Sequence, residues 1–115
     1  MEKVKCDLAS FSPKARSGVA EITTEINNGT ASASTKKRFK DAYIHIMDSA
    51  AFPRHLVTMK IPGGLSLLDG SHRMVAFSML QQTPNAKFDE LKKKKAALEQ
   101  DIWIGTHSGG EVPLT

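Results

Sequence analysis

The stretch that decides the fold is Leu67-Leu68-Asp69-Gly70-Ser71-His72-Arg73-Met74-Val75-Ala76-Phe77. The apolar run at residues 65–68 predicts a strand, and Asp69 with Gly70 then punctuates the chain. From residue 71 to residue 82 apolar side chains occur nearly all round the helical circumference, as expected for a helix packed on a sheet. The stretch therefore predicts a strand, a tight turn and a buried helix in direct succession.

A second predicted strand precedes this stretch. Residues 54–61 carry apolar side chains that suit a strand. Pro62, Gly63 and Gly64 then supply a turn into the apolar run. The two strands and the turn predict a β-hairpin.

Two helices are predicted before the hairpin. Ser12 and Pro13 are typical of the start of the first helix, and Asn28 with Gly29 ends it. Residues 29–35 are small and polar and predict a flexible connection that ends in another capping residue. The second helix carries apolar residues at three-and-four spacing, which predicts a buried stripe: Phe39, Ala42, Tyr43, Ile46, Met47 and Ala50.

A further helix is predicted after the central one, opened by Thr83 and Pro84. Asp89 and Glu90 are expected early in this helix and residues 92–95, all lysine, late in it. That order of charges complements the helix dipole.

A short strand at residues 101–106 and a loose end at residues 108–115 complete the prediction. The expected fold class is mixed α/β (α+β), with a short mixed sheet and a hairpin packed on helices. Within one domain, residues 1–35 are expected to form a helical extension and linker, residues 36–107 the core, and residues 108–115 the tail.

The composition is that of one soluble domain. The chain has 115 residues, 40% of them hydrophobic and 24% charged. The single cysteine, Cys6, forms no internal disulfide, and no stretch approaches the roughly 18 apolar residues that span a bilayer. A cytoplasmic protein without a membrane partner is expected. The net charge of +4 favours phosphate-bearing partners.

The turn between strand and helix concentrates polar groups. Free amides at a helix start bind phosphate oxygens, and Gly70 lets a ligand approach them. Ser71 caps the helix or donates its hydroxyl, His72 donates a hydrogen bond or moves a proton, and Arg73 offers a planar fork to phosphate. Asp69 is the candidate magnesium ligand. From the residues alone, an anion site and a purely structural turn both stay open.

The pattern Asp69-Gly70-Ser71-His72-Arg73, followed by Ala76 and Phe77, resembles the signature of the ParB/sulfiredoxin-like fold. In that superfamily a Gly-x-x-Arg or Asp-Gly-x-His-Arg turn leads into a helix and binds nucleotide phosphates. The resemblance implies a nucleoside triphosphate, ATP or CTP, held with Mg²⁺. Gly70, Ser71, His72 and Arg73 would bind the nucleotide, while Asp69, His72 and Arg73 would be catalytic and Asp69 would hold the metal.

The branches of this superfamily imply different activities. Sulfiredoxins place a catalytic cysteine where this chain has Ser71, so sulfinic acid reduction is not expected. ParB partition proteins carry an additional DNA-reading domain, for which this chain has no room. Compact plasmid-encoded members are credited with nuclease or NTPase activity, and an ATPase or DNase is the preferred expectation. A kinase acting on free serine is the alternative.

Lysines and histidines elsewhere give further hypotheses. A basic surface for DNA phosphates would use Lys36, Lys37, Arg38, Lys93 and Lys94, and a solvated helical face is the simpler interpretation. If that surface is the functional one, the chain is a non-enzymatic DNA- or protein-binding module. His45, His55 and His107 have no metal-ligand spacing. His55 lies in the predicted strand before the turn and His107 just after the last strand, so either could approach the pocket in the folded chain.

Overall fold

The computed structural model describes residues 1–106 and shows a mixed α+β fold, as the sequence predicts. The strands and helices, in chain order, are β1 (Glu2–Lys5), α1 (Pro13–Asn28), α2 (Ala33–Ser49), β2 (Val57–Ile61), β3 (Gly64–Asp69), α3 (Ser71–Gln82), α4 (Asn85–Leu91) and β4 (Glu99–Thr106). A short 3-10 helix, Leu8–Ser10, lies between β1 and α1. Residue 107 and the predicted tail at residues 108–115 lie outside the described part.

The four strands form one mixed sheet in the order β1-β4-β2-β3. β2 and β3 pair antiparallel as the predicted hairpin, β4 runs parallel to β2, and β1 pairs antiparallel with β4. Ile102 is 0% exposed whereas the adjacent Trp103 is 52% exposed. Because neighbouring strand residues point to opposite faces, the core covers one face of β4 and leaves Trp103 on the other.

The hairpin is shorter at its start than predicted. β2 begins at Val57, and Arg54 and His55 stay outside it. Their carbonyls accept hydrogen bonds from the Arg73 guanidinium, at 2.8 and 3.0 Å, instead of joining the strand ladder. The turn itself is Pro62 and Gly63, because Gly64 already belongs to β3.

Helix α3 is the centre of the core. It packs against both α1 and α2, and its buried side chains are Met74, Val75, Ala76, Phe77 and Leu80. Phe77 also packs on Phe52, with ring centroids 4.8 Å apart. The apolar residues of α3 are distributed all round the helix because it has neighbours on several sides, which confirms the predicted buried helix.

The first residues of the chain contribute to the same sheet and core. Strand β1 is absent from the sequence-based prediction, and Cys6, Phe11 and Val19 are buried in the core cluster. Ser12 donates its amide to the Leu65 carbonyl at 2.8 Å, and Phe11 forms a bridge with the same residue. This segment thereby covers the outer edge of β3, a position that otherwise exposes unpaired backbone groups.

The predicted start of α2 differs by a few residues. Ser32, not Thr35, is the capping residue, and its hydroxyl accepts from the Thr35 amide at 3.1 Å. The connection between α1 and α2 is therefore shorter than predicted. The buried stripe of α2 is confirmed, with Ala42 and Ile46 buried and Phe39 and Tyr43 packed against the core.

The dipole argument for α4 is wrong. The helix ends at Leu91, so Asp89 and Glu90 lie in its last turn and the lysines follow it. Lys92 adopts a left-handed conformation with φ 55°, and its amide bonds to the Asp89 carbonyl at 3.1 Å. The chain turns here because Ala96 returns to the core, where Gln81 donates to its carbonyl at 2.8 Å.

Among residues 1–106, no helix combines the length and the apolar character that crossing a bilayer requires.

Two glycines give a matched test of this packing. Gly64 has φ +132°, and a Cβ built there would lie 2.9 Å from the Phe11 carbonyl carbon. Gly18, inside α1, has nothing within 4 Å of such a Cβ. We expect Gly64→Ala to lower the free energy of unfolding by about 2 kcal/mol or more. Gly18→Ala should raise it by about 0.5–1 kcal/mol, because alanine is the better helix former.

Urea denaturation followed by circular dichroism measures both changes. Equal stability of Gly64→Ala and wild type would contradict the close approach of Phe11 to β3.

Candidate functional site

The turn from β3 into α3 is shaped by packing within the protein. Gly70 is the N-cap of α3, with φ 110° and ψ 20°, and Ser71 is the first helical residue. The interpretation of Ser71 as the cap is therefore wrong, because glycine holds that position. A Cβ on Gly70 would lie 2.5 Å from Leu56 Cδ2 and 3.1 Å from Arg73 Nη2. These side chains, rather than a ligand, fill the space that the glycine leaves.

Arg73 connects three segments at this turn. Its Nη1 donates to the carbonyls of Arg54 and His55, and its Nη2 donates to Asp69 Oδ2 at 2.9 Å. The Arg73 side chain is only 12% exposed, against 67% for Asp69. Three of the five guanidinium N–H groups are thus used within the protein. Arg73 positions the walls of the site.

A cleft of about 720 Å³ opens beside this turn, between α2, the segment before β2, and the start of α3. One wall belongs to α2 and the other to the turn and first residues of α3. Its lining residues are Arg38, Asp41, Ala42, His45, Pro53, Arg54, Asp69, His72 and Arg73. Cationic and imidazole side chains outnumber the carboxylates.

The two carboxylates of the cleft are already partnered. Asp41 accepts from Lys37 Nζ at 2.7 Å, one helical turn away, and Asp69 pairs with Arg73. Neither Arg38 nor Arg54 forms an ion pair with any residue between 1 and 106. The cleft therefore presents two uncompensated guanidinium groups to a ligand, which favours an anion.

His72 stands at the second position of α3, inside this positive surface. Burial lowers the pKa of its imidazole below the ordinary value, and the charge of Arg38 lowers it further. The ring is therefore neutral at pH 7 and carries a lone pair that accepts a proton. The His72 imidazole is therefore better suited to accept a proton than to bind an anion as a permanent cation.

The cleft brings together part of the predicted site. Asp69, His72 and Arg73 line it, as does Arg38 from the predicted basic surface. Gly70 and Ser71 lie at the turn but are not among the lining residues.

The rest of the predicted basic surface is divided between the two ends of α2. Lys36 and Lys37 are exposed near its start, whereas Lys93 pairs with Asp48, close to its end, at 2.9 Å. Twelve residues of helix between Lys36 and Asp48 correspond to about 18 Å. Lys94 lines a separate cleft with Lys93 and Lys95. Lys36 and Lys37 thus form one patch, and Lys93, Lys94 and Lys95 form a separate one, the lysine patch beyond α4.

Among the lining residues that the sequence did not assign to the site are two basic ones, His45 and Arg54. His45 lies seven positions after Arg38 on α2, which is two helical turns, so the two share one face. Arg54 reaches the cleft from the segment before β2, a position that depends on the tertiary fold. The polar spacing on α2 offered a signal for His45, whereas nothing local marked Arg54.

The remaining histidines lie elsewhere. The His55 ring is directed to β4, where its Nδ1 is 3.0 Å from the Asp101 carbonyl, and it is not among the lining residues of the cleft. His107 is outside the described residues.

The donor set does not fit a magnesium ion held by the protein alone. One oxygen of Asp69 is bound to Arg73, and within the described residues no three metal-ligating side chains form a cluster. Magnesium prefers several oxygen ligands. Asp69 therefore does not by itself provide a magnesium site.

Cys6 plays no part in this site. It lies in the core, and burial raises the pKa of its thiol to about 11, so the sulfur stays protonated at neutral pH.

Comparison of the chain with protein-family models, with curated proteins and with solved structures gives no match.

The contacts of Arg73 predict unequal effects when one or the other member of the Arg73–Asp69 ion pair is replaced. Arg73→Ala removes three hydrogen bonds around a nearly buried group and should lower the free energy of unfolding by about 2–4 kcal/mol. Asp69→Asn removes only an exposed charge and should change it by less than about 1 kcal/mol. Urea denaturation of the two variants measures the difference, and equal losses would contradict the positioning role of Arg73.

The titration of His72 tests the electrostatics of the cleft. In NMR spectra of the imidazole signals, the His72 pKa should lie below the ordinary histidine value. Arg38→Ala should raise it only part of the way, because burial is the larger cause. A pKa that falls or stays constant in Arg38→Ala would show that Arg38 does not face His72.

Proposed function

We propose that this chain is a small cytoplasmic enzyme of the ParB/sulfiredoxin-like type. It binds nucleotide phosphate groups in the cleft between α2 and α3 and acts on a phosphate bond of a nucleoside triphosphate or a nucleic acid. The phosphates would contact Arg38 and Arg54, with the first amides of α3 beside them.

The observation that carries this proposal is a pair of arginines beside the start of α3 that form no ion pair within residues 1–106. Arg38 and Arg54 come from different elements, yet both line one cleft together with His72. The first amides of a helix carry partial positive charge, and guanidinium groups bind phosphate oxygens in pairs. All these groups favour the same kind of ligand, an anion with several oxygens.

The size of the cleft agrees with a nucleotide. Small-molecule sites commonly enclose about 300–1,000 Å³, and this cleft encloses about 720 Å³. The order of elements also agrees with the resemblance, because Asp69-Gly70-Ser71-His72-Arg73 connects β3 directly to α3.

In this proposal, only two of the three arginines that line the cleft contact the phosphate groups. Arg73 positions Asp69 and the segment that carries Arg54, while Arg38 and Arg54 bind the ligand. His72 is placed to take a proton from the attacking group. The neutral state of its imidazole at pH 7 supports this role.

Calorimetric titration with pyrophosphate, ATP and CTP tests the proposal, each with and without Mg²⁺. Wild type should bind at least one of these ligands saturably. Arg38→Ala and Arg54→Ala should each weaken binding by about 10- to 100-fold, the equivalent of one charge-assisted hydrogen bond. Arg16→Ala is the matched control, since Arg16 is exposed on α1 outside the cleft.

Two outcomes would contradict this function. One is that the folded wild type binds none of these ligands. The other is that binding survives both arginine substitutions and is weakened by Lys93→Ala or Lys94→Ala, which would assign the anion site to the lysine patch beyond α4.

A further inference from the structure

Resting on the proposed phosphate site, we propose that His45 and His72 form an acid–base pair that cleaves RNA, using the ribose 2′-hydroxyl next to the broken phosphodiester as the nucleophile. This names the substrate class of the cleft as a ribonucleotide chain.

The two histidines belong to different helices that line one cleft. His45 belongs to α2 and His72 to α3, so they reach the same cleft from its two walls. Arg38 stands two helical turns from His45, about 10.5 Å along the axis, and is close enough to His72 to influence its titration. Because both histidines line one cleft, a single phosphodiester would lie between their imidazoles, with its phosphate next to the long side chains of Arg38 and Arg54.

The two histidines differ in burial, which suits them to different roles in the reaction. His72 is partly buried, and its imidazole is neutral at pH 7, so it accepts a proton. His45 is exposed on α2, where water reaches its ring. The charged groups that also face this space are Arg38 and Asp41 from α2, Arg54 from the segment before β2, and Asp69 and Arg73 from the turn.

The proposed reaction balances without a further reactant. His72 takes the proton of the 2′-hydroxyl while the 2′-oxygen forms a bond to phosphorus. The bond from phosphorus to the 5′-oxygen of the next nucleotide breaks, and protonated His45 donates a proton to that oxygen. The products are a 2′,3′-cyclic phosphate and a free 5′-hydroxyl.

The groups that line the cleft favour RNA over DNA as the substrate. Arg38 and Arg54 supply the positive charge that stabilises the phosphorane-like transition state. In the part of the chain that the structure describes, no cluster of side chains is suited to a metal that would activate water against DNA. An internal nucleophile makes such activation unnecessary, and DNA has none.

A fluorescent oligonucleotide with one ribonucleotide in a DNA background tests this inference, in buffer with EDTA. Wild type should cut it at the ribonucleotide and leave the cyclic phosphate, whereas the all-DNA version should stay intact. His72→Gln and His45→Gln should each lower the initial rate by about 100-fold or more, because each removes one proton-transfer group. His55→Gln is the matched control and should cut at the wild-type rate, because the His55 ring lies outside the cleft.

The inference is overturned if the folded wild type does not cut the RNA position, if EDTA abolishes cutting, or if either cleft variant cuts at the wild-type rate. Pyrophosphate binding is measured on the same preparations. Binding without cleavage would reject only the RNA chemistry, while loss of both would reject the phosphate site as well. Circular dichroism confirms that each variant is folded.

Discussion

The hydrogen bonds of the Arg73 guanidinium determine where the parts of the cleft stand. A charged group with so little exposure is tolerated only when its N–H groups have partners, and here the partners come from Asp69 and from the backbone of Arg54 and His55. The end of β3, the start of α3 and the segment before β2 are thereby fixed relative to one another. Arg54 is carried by that segment, so its place in the cleft depends on Arg73.

The position of α3 relative to α1 and α2 is a second constraint on the geometry of the cleft. This helix packs on α1 and on α2, and α2 contributes Arg38 and His45 to the cleft. Because interiors are close-packed, a shift of α3 would change the spacing between His72 and both of these residues. Stability and the geometry of the cleft are therefore coupled at the start of α3. The lysine patch beyond α4 lies outside this arrangement and forms a separate cleft.

Features with local causes could be predicted from the sequence. Ser12 and Gly29 bound α1 because capping is a property of a few adjacent residues, and Pro62 with Gly63 makes the hairpin turn for the same reason. β1 could not be predicted, because Glu2-Lys3-Val4-Lys5 has a single apolar residue and becomes a strand only by pairing with β4. The end of α4 depends likewise on the return of Ala96 to the core.

The residues of the candidate site likewise divide into those whose placement could be predicted from the sequence and those whose placement could not. Asp69, His72 and Arg73 stand together in the sequence and line one cleft, so their proximity was predictable. Their individual environments were not, because Arg73 has partners almost twenty positions earlier in the chain. Arg54 and His45 enter the cleft through tertiary packing. A short motif thus predicted that these three side chains lie together, and the fold determined which other residues share the cleft with them.

The most direct measurement of the central claim is a titration of the isotope-labelled protein with pyrophosphate, followed by amide NMR shifts. Binding in the cleft predicts saturable shifts at the Ser71, His72 and Arg73 amides, with the signals of residues 92–95 unchanged. Shifts confined to residues 92–95, or no shifts at the start of α3, would contradict the account.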